Sequence, residues 1–310
     1  MPREVLAALD PRPGHVVLDG TVGAGGHARL LLSRIGPQGL LIGIDRDPAM
    51  VSLAARVLDA PNVWLLTGSY ARADGLIDRL AAEDSRFAFA WTQHEAAVDC
   101  ALLDLGWSSD QLADAGRGFA FDASGTLDMR YSVEVGPAAW ELLETATQEE
   151  IADWLRRYGE ERYADRIAAE IVRRRGEKPI RRADELARLV IDALPQSVVV
   201  RARRHPATRV FQALRIRVNR ELEELQQGLN QTLPRLVRPG GRLAVISFHS
   251  LEDRYVKKAF SGPWWRALGK PVTPTATEVQ VNPRSRSAKL RVAERTSRMP
   301  EPPAEECAEQ

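Results

Sequence analysis

The sequence predicts an α/β protein: a doubly wound, mostly parallel sheet interrupted by an inserted helical domain. Three observations carry this. Short apolar runs alternate with amphipathic helical periods over residues 1–112, the pattern of parallel strands covered on both faces. A glycine cluster follows the first apolar run, in Asp19-Gly-Thr-Val-Gly-Ala-Gly-Gly-His27. An acid, Asp45, closes the next apolar run, at about the 20-residue spacing of a nucleoside-binding βαβ unit.

Taken in order, residues 16–18, 40–44, 63–66 and 98–104 are the expected strands. Residues 28–35, 48–58 and 75–82 are the helices between them, and 83–95 is expected to be a surface loop with scattered aromatics. From 113 to 206 helical periodicity replaces the strand signals, with helices over 147–158, 163–174 and 183–193 and breaks at Pro179 and Pro195. This arginine-rich stretch is the inserted domain. Residues 1–112 and 207–310 then form one discontinuous α/β domain. Phe211, Leu214, Val218, Leu222, Leu225, Leu229, Leu233 and Leu236 fall at steps of three and four, which predicts one long helix. Pro239-Gly240-Gly241 turns the chain into a strand over 242–248. A basic tail over 282–295 follows, and 300–310 has the composition of a disordered end.

Composition narrows the function. The chain has 310 residues, 44% of them hydrophobic, which suits a sizeable core. Its formal charge of +1 gives no global basic field, so local patches matter more. Two cysteines are too few for a disulfide framework or a cysteine-rich metal site, and no metal is expected. No apolar run reaches the roughly 18 residues of a membrane span, and no signal peptide opens the sequence, so a soluble cytoplasmic protein is expected.

The glycine turn departs from the dinucleotide pattern G-x-G-x-x-G, because the third position falls on Ala28. A third strand tip, Asp104, should join the turn and Asp45 in one crevice at the carboxyl ends of the strands. An acidic crevice opposes a pyrophosphate. It suits a ligand with a sulfonium and an ammonium, as in S-adenosylmethionine, and so favours methyl transfer over hydride transfer.

At this point Asp19-Gly-Thr-Val-Gly-Ala-Gly-Gly-His27, Gly43-Ile-Asp-Arg-Asp-Pro48, Asp104-Leu-Gly-Trp-Ser-Ser-Asp-Gln-Leu112 and Arg117-Gly-Phe-Ala-Phe121 form a recognisable set. So do Leu127-Asp-Met-Arg130, Tyr158-Gly-Glu-Glu-Arg162, His205-Pro-Ala-Thr-Arg209, Phe211-Gln-Ala-Leu-Arg-Ile216, Ile246-Ser-Phe-His-Ser-Leu-Glu-Asp-Arg254 and Asn282-Pro-Arg-Ser-Arg-Ser-Ala-Lys-Leu-Arg291. In this order the sequence resembles the bacterial small-subunit ribosomal RNA cytosine-N4 methyltransferases, the RsmH/MraW type. The resemblance implies a class I S-adenosylmethionine-dependent methyltransferase fold, Rossmann-like, with a helical insertion. It implies methylation of the N4 amine of a cytidine in 16S rRNA of the small ribosomal subunit. It implies cofactor contacts at Gly25, Gly26, His27, Asp45, Tyr70, Asp104 and Gln111, with Tyr70 where the family usually carries phenylalanine. Trp107 replaces a small apolar residue of the family.

Asp104 and Ser108 are the catalytic candidates, since they lie on the turn where a target base should enter. Trp107 either stacks on a base or packs in the core, and Ser108 either serves the reaction or caps a helix. His205 and His249 read as structural, and Asp128 with Arg130 as an internal ion pair or a site of unassigned role. Arg201, Arg203, Arg204, Arg284, Arg286, Lys289 and Arg291 are the candidate RNA contacts, with a solvated basic face as the competing reading. Other functional readings are a DNA amino-methyltransferase, an inactive ribosome-assembly factor on the same fold, and a dehydrogenase.

Overall fold

The computed structural model describes residues 1–108, 111–112, 114–121, 125–202 and 204–298. Arg203, Ser109 and the expected disordered end lie outside these residues. The chain divides into two compact units, Met1–Gly106 with Glu223–Gln310, and Trp107–Leu222.

The first unit holds a seven-stranded sheet: β1 (Val16–Asp19), β2 (Leu40–Asp45), β3 (Val63–Thr67), β4 (Val98–Asp104), β5 (Val237–Ser247), β6 (Trp265–Ala267) and β7 (Lys289–Arg295). The spatial order is β3-β2-β1-β4-β5-β7-β6, with β7 antiparallel to both neighbours and the other pairings parallel. This is the class I methyltransferase arrangement. The order reverses between β1 and β4, and an open parallel sheet binds ligands at such a switch point. Successive residues of one strand serve opposite faces. Val16, Leu18, Leu40 and Ile42 enter one buried cluster, and Val17 and Leu41 enter the other. That is why these strands read as unbroken apolar runs.

The helices α1 (Pro2–Leu9), α2 (Gly26–Ile35), α3 (Pro48–Val57) and α4 (Ala73–Glu83) cover the sheet. Asp47 caps α3 by accepting from the Ala49 N–H at 3.0 Å, and Pro48 occupies the first helical position. The segment expected to be a loop over 83–95 is instead helix α5 (Ser85–Gln93). Asp84 caps it by accepting from the N–H groups of Arg86 and Phe87. Phe87 is fully buried, edge-on to Trp64 and stacked with Trp91.

The second half of the basic tail is β7, paired between β5 and β6, and one further expectation changes. Strand β5 begins at Val237, before the glycine pair, with a register shift against β4 between Val98 and Cys100.

The second unit contains α6 (Ala139–Thr145), α7 (Gln148–Gly159), α8 (Ala164–Glu177), α9 (Ala183–Ala193), α10 (Gln196–Arg201) and α11 (Thr208–Asn219). Thr147 and Glu150 cap the start of α7 reciprocally, at 3.2 and 2.7 Å. The unit runs beyond the 113–206 of the sequence reading, because α11 packs on α7. Gly159 lets the two approach: a Cβ there would meet the Arg209 carbonyl oxygen at 2.6 Å. The Gln212 amide donates to the Tyr158 carbonyl at 2.9 Å across the same contact. The single helix expected through Leu236 is broken at Arg220, whose φ is +51°. Buried Asn219 fixes that end, donating to the carbonyls of Met129 and Arg215 and accepting from the Tyr131 N–H.

The packing of α5 gives a direct test. Phe87→Ala should destabilise the protein by about 3–5 kcal/mol in denaturant unfolding, the range for emptying a buried aromatic site. Phe89, on the same helix but 69% exposed, should change stability by less than about 0.5 kcal/mol when replaced by Ala. Equal effects would contradict the helical assignment.

Candidate active site

The site is built where β1, β2 and β4 end. Asp19 closes β1, and the chain turns at once. The Gly20 N–H donates to the Leu102 carbonyl at 2.9 Å, and the Val22 N–H to the Ile44 carbonyl at 2.8 Å. The turn is thereby tied to both neighbouring strands. Gly20 is required by close approach, since a Cβ there would lie 2.6 Å from Leu103 Cδ2 and 2.9 Å from Tyr70 Cβ. Gly25 has φ +86° and caps α2 without a side-chain hydrogen bond. Beside Gly26 the space a Cβ would take is open. The first N–H groups of a ten-residue helix therefore face a glycine-lined turn.

Asp45 organises this turn. Its Oδ2 accepts from the Gly23 N–H and its Oδ1 from the Asp47 N–H, both at 2.9 Å. Burial raises its pKa to about 6 against those two hydrogen bonds. Asp19 is buried more completely. Its Oδ1 accepts from the Thr21 N–H at 3.2 Å, but its Oδ2 is buried with no hydrogen-bond partner. Burial pushes its pKa up to about 7, and the charges of Asp104 and Asp45 add to the rise. The Asp104 N–H donates to the Thr21 hydroxyl at 2.6 Å, and Asp104 Oδ2 lies 3.4 Å from His27 Nε2. Asp104 Oδ1 is also buried and unpartnered. Burial opposes the charged form of His27, yet the hydrogen bond and charge of Asp104, with the charge of Asp19, raise its pKa overall.

A buried carboxylate oxygen without a donor is costly. Here two of them flank one glycine turn. A ligand bringing a cationic donor would satisfy them, and S-adenosylmethionine carries an ammonium that can donate and a sulfonium that adds positive charge. The residues present fit that group.

The structure brings Gly25, Gly26, His27, Asp45 and Asp104 to one set of strand tips. Tyr70 is buried on a 3₁₀ turn after β3, with its Cβ against Gly20 and its ring so close to Gly228 that a Cβ there would lie 2.8 Å from it. Asp19 and Thr21 join the site although neither is among the residues expected there from the sequence. The signal was present, since Asp19 ends an apolar run as Asp45 and Asp104 do. Ser108 and Gln111 belong to the other unit and cap each other. The Ser108 N–H donates to Gln111 Oε1 at 2.9 Å, and the Gln111 N–H to Ser108 Oγ at 3.1 Å.

Among the basic candidates, Arg201, Arg204, Arg284 and Arg286 are exposed, and Arg203 is not described. Lys289 and Arg291 lie on β7, and both pair with Asp253, at 3.0 and 2.7 Å. Asp128 and Arg130 form a two-pronged ion pair at 2.9 and 2.7 Å. His249 caps the helix Ser250–Ala259, and His205 stacks on Phe121 with ring centroids 4.5 Å apart.

A family model described as the MraW methylase family matches residues 1–296. The chain belongs to the MraW methylase family. It is 44% identical to the ribosomal RNA small subunit methyltransferase H of Syntrophotalea carbinolica, over 95% of this chain and 96% of that relative. Solved structures similar to it include a candidate rRNA-methylase of Clostridium thermocellum (TM-score 0.44, 13% identity, covering 95% of this chain and 94% of that one). TrmN of Thermus thermophilus is another (TM-score 0.42, 13% identity, covering 95% of this chain and 48% of that one).

The unpartnered acid leaves a pH signature in the ligand-free protein. A native pKa near 7, above the unfolded value of 3.8, means that folding keeps a proton which the unfolded chain loses. Asp19 therefore weakens stability progressively as pH rises from about 4 to about 7, and fully above that range. Asp19→Asn should gain on the parent protein by roughly 2 kcal/mol between pH 5 and pH 8, measured by chemical unfolding at both values. A difference independent of pH would remove the buried charge from the account.

Proposed function

We propose that this member of the MraW family transfers a methyl group from S-adenosylmethionine to the N4 amine of a cytidine in 16S rRNA. The observation that carries the reading is the pair of buried, unpartnered carboxylate oxygens, on Asp19 and Asp104, around the glycine turn. S-adenosylmethionine, when bound, supplies an electrophilic methyl group on a sulfonium. The backbone at Gly25 and Gly26 offers a close approach and the positive end of α2. Asp45 keeps lone pairs beyond its two backbone hydrogen bonds, enough to accept from ribose hydroxyls. Tyr70 gives the adenine an aromatic neighbour. Asp19, Asp104 and His27 provide the polar end of the crevice, and Gln111 is a further cofactor contact.

The exocyclic amine of cytosine is a weak nucleophile, because its lone pair is delocalised into the ring. Its positioning near 3 Å from the methyl carbon, in line with the leaving sulfur, supplies most of what the protein can contribute. Asp104 accepts a hydrogen bond from the amine and takes the proton released on transfer. Ser108 is the second candidate at this step, through its hydroxyl. The exposed Arg201, Arg204, Arg284 and Arg286 bind phosphates of the substrate. Arg203 is assigned to the same group by its place in sequence, and Lys289 and Arg291 join it only where Asp253 leaves them a donor. The small ribosomal subunit in the cytoplasm is the setting of this reaction. No described helix is long and apolar enough to cross a membrane.

Transfer of labelled methyl from S-adenosylmethionine to naked 16S rRNA and to whole small subunits tests the reading. Nucleoside mass spectrometry should find N4-methylcytidine as the product. Only methyladenosine, or methylation of DNA alone, would overturn the assignment of substrate.

A further inference from the structure

We propose that Trp107 is a stacking platform for a base of the RNA substrate. The inference rests on the RNA-methylation reading and adds a contact to it.

Trp107 stands three residues past Asp104 in the chain and is 40% exposed. A single exposed aromatic needs no explanation. What surrounds this one does. The Arg215 guanidinium lies 4.0 Å from the centroid of the indole ring. Arg215 is itself buried, and its Nε and Nη2 donate to the two Glu221 oxygens at 2.7 and 2.9 Å. Glu221 also accepts from the Tyr131 hydroxyl at 3.0 Å. Tyr131 is fixed in turn: its N–H donates to Asn219 Oδ1, and its carbonyl accepts from Arg117, both at 2.8 Å. The indole is therefore backed by a chain of charge-assisted hydrogen bonds that leaves the guanidinium one orientation.

A planar guanidinium stacks on an indole face, and a cation there strengthens the contact. Burying an arginine to hold a ring that stays two-fifths exposed orders that ring before any ligand arrives. Binding then carries little further ordering cost. The ligand that matches a fixed, flat and partly open indole is another flat π-system, and the bases of RNA are such groups. Phosphate recognition is the task of the exposed arginines, so the two contributions separate by their response to salt.

Trp107→Ala and Trp107→Phe test this with naked 16S rRNA as the probe and no need for methyl transfer. Failure of the methylation assay is thus a separate result. Trp107→Ala should weaken RNA binding by about 5- to 150-fold, the range for losing one base stack. The slope of affinity against salt should stay that of the parent, and S-adenosylmethionine affinity should change less than about twofold. Trp107→Phe should keep most of the RNA affinity. The emission lost between the parent protein and Trp107→Phe should be quenched when RNA is added. Unchanged RNA affinity in Trp107→Ala would overturn the proposal. So would an equal loss of cofactor affinity, which would mark Trp107 as structural. Absence of quenching at Trp107 would overturn it even if the alanine variant failed to fold.

Discussion

The site depends on carboxylates placed at the ends of buried parallel strands without enough donors to satisfy them. A strand covered on both faces excludes water along its length, so a carboxylate oxygen buried at its tip keeps only what the neighbouring groups supply. For Asp45 the turn supplies two N–H groups, and the carboxylate becomes the anchor of the glycine loop. For Asp19 it supplies one, from Thr21, and the second oxygen is left bare. Asp104 has His27 on one oxygen and nothing on the other. A bound cation would make up this deficit. The glycines follow from the same constraint, because the turn must pass between Leu103 and Tyr70 with no room for a Cβ at Gly20.

The helical unit is ordered by a different means. Its helices bury an apolar core of their own, with Ile151, Leu155, Ile167, Val190 and Leu214 fully buried, and polar contacts fix the segment that leads into it. The Leu127–Tyr131 segment is held by its backbone: Arg117 donates to the carbonyls of Arg130 and Tyr131, and Asn219 to that of Met129. Met129 sits at φ +61°, a conformation that this frame maintains. Asp128 and Arg130 pair with each other inside that frame. Arg215 ties the same frame, through Glu221, to the indole of Trp107.

Much of the α/β unit was legible because its signals are local. Apolar runs, the glycine cluster and the acidic ends of the strands each occupy a few residues. What failed to show is long-range or masked by a second pattern. Aromatics at 87, 89 and 91 alternate like a strand or scatter like a loop, and the helical pair Phe87 with Trp91 is hidden by exposed Phe89. The apolar period runs on through 211–236, but the chain breaks at Arg220 because Asn219 bonds to a loop about 90 residues earlier in sequence. The basic residues of the tail read only as candidate RNA contacts. Asp253, which pairs with Lys289 and Arg291, lies in a helix outside that segment, and the strand pairing with β5 carries no local mark.

The central claim is that Asp19, bare on one oxygen at its strand tip, is held protonated until a cationic ligand arrives. Calorimetry of S-adenosylmethionine binding at pH 6, repeated in buffers of different ionisation enthalpy, measures this directly. With Asp19 near 7, the binding of a cation beside it should ionise it. Protons should be released at pH 6, and the number should fall towards zero by pH 8. Proton uptake, or an enthalpy independent of buffer at pH 6, would contradict the account.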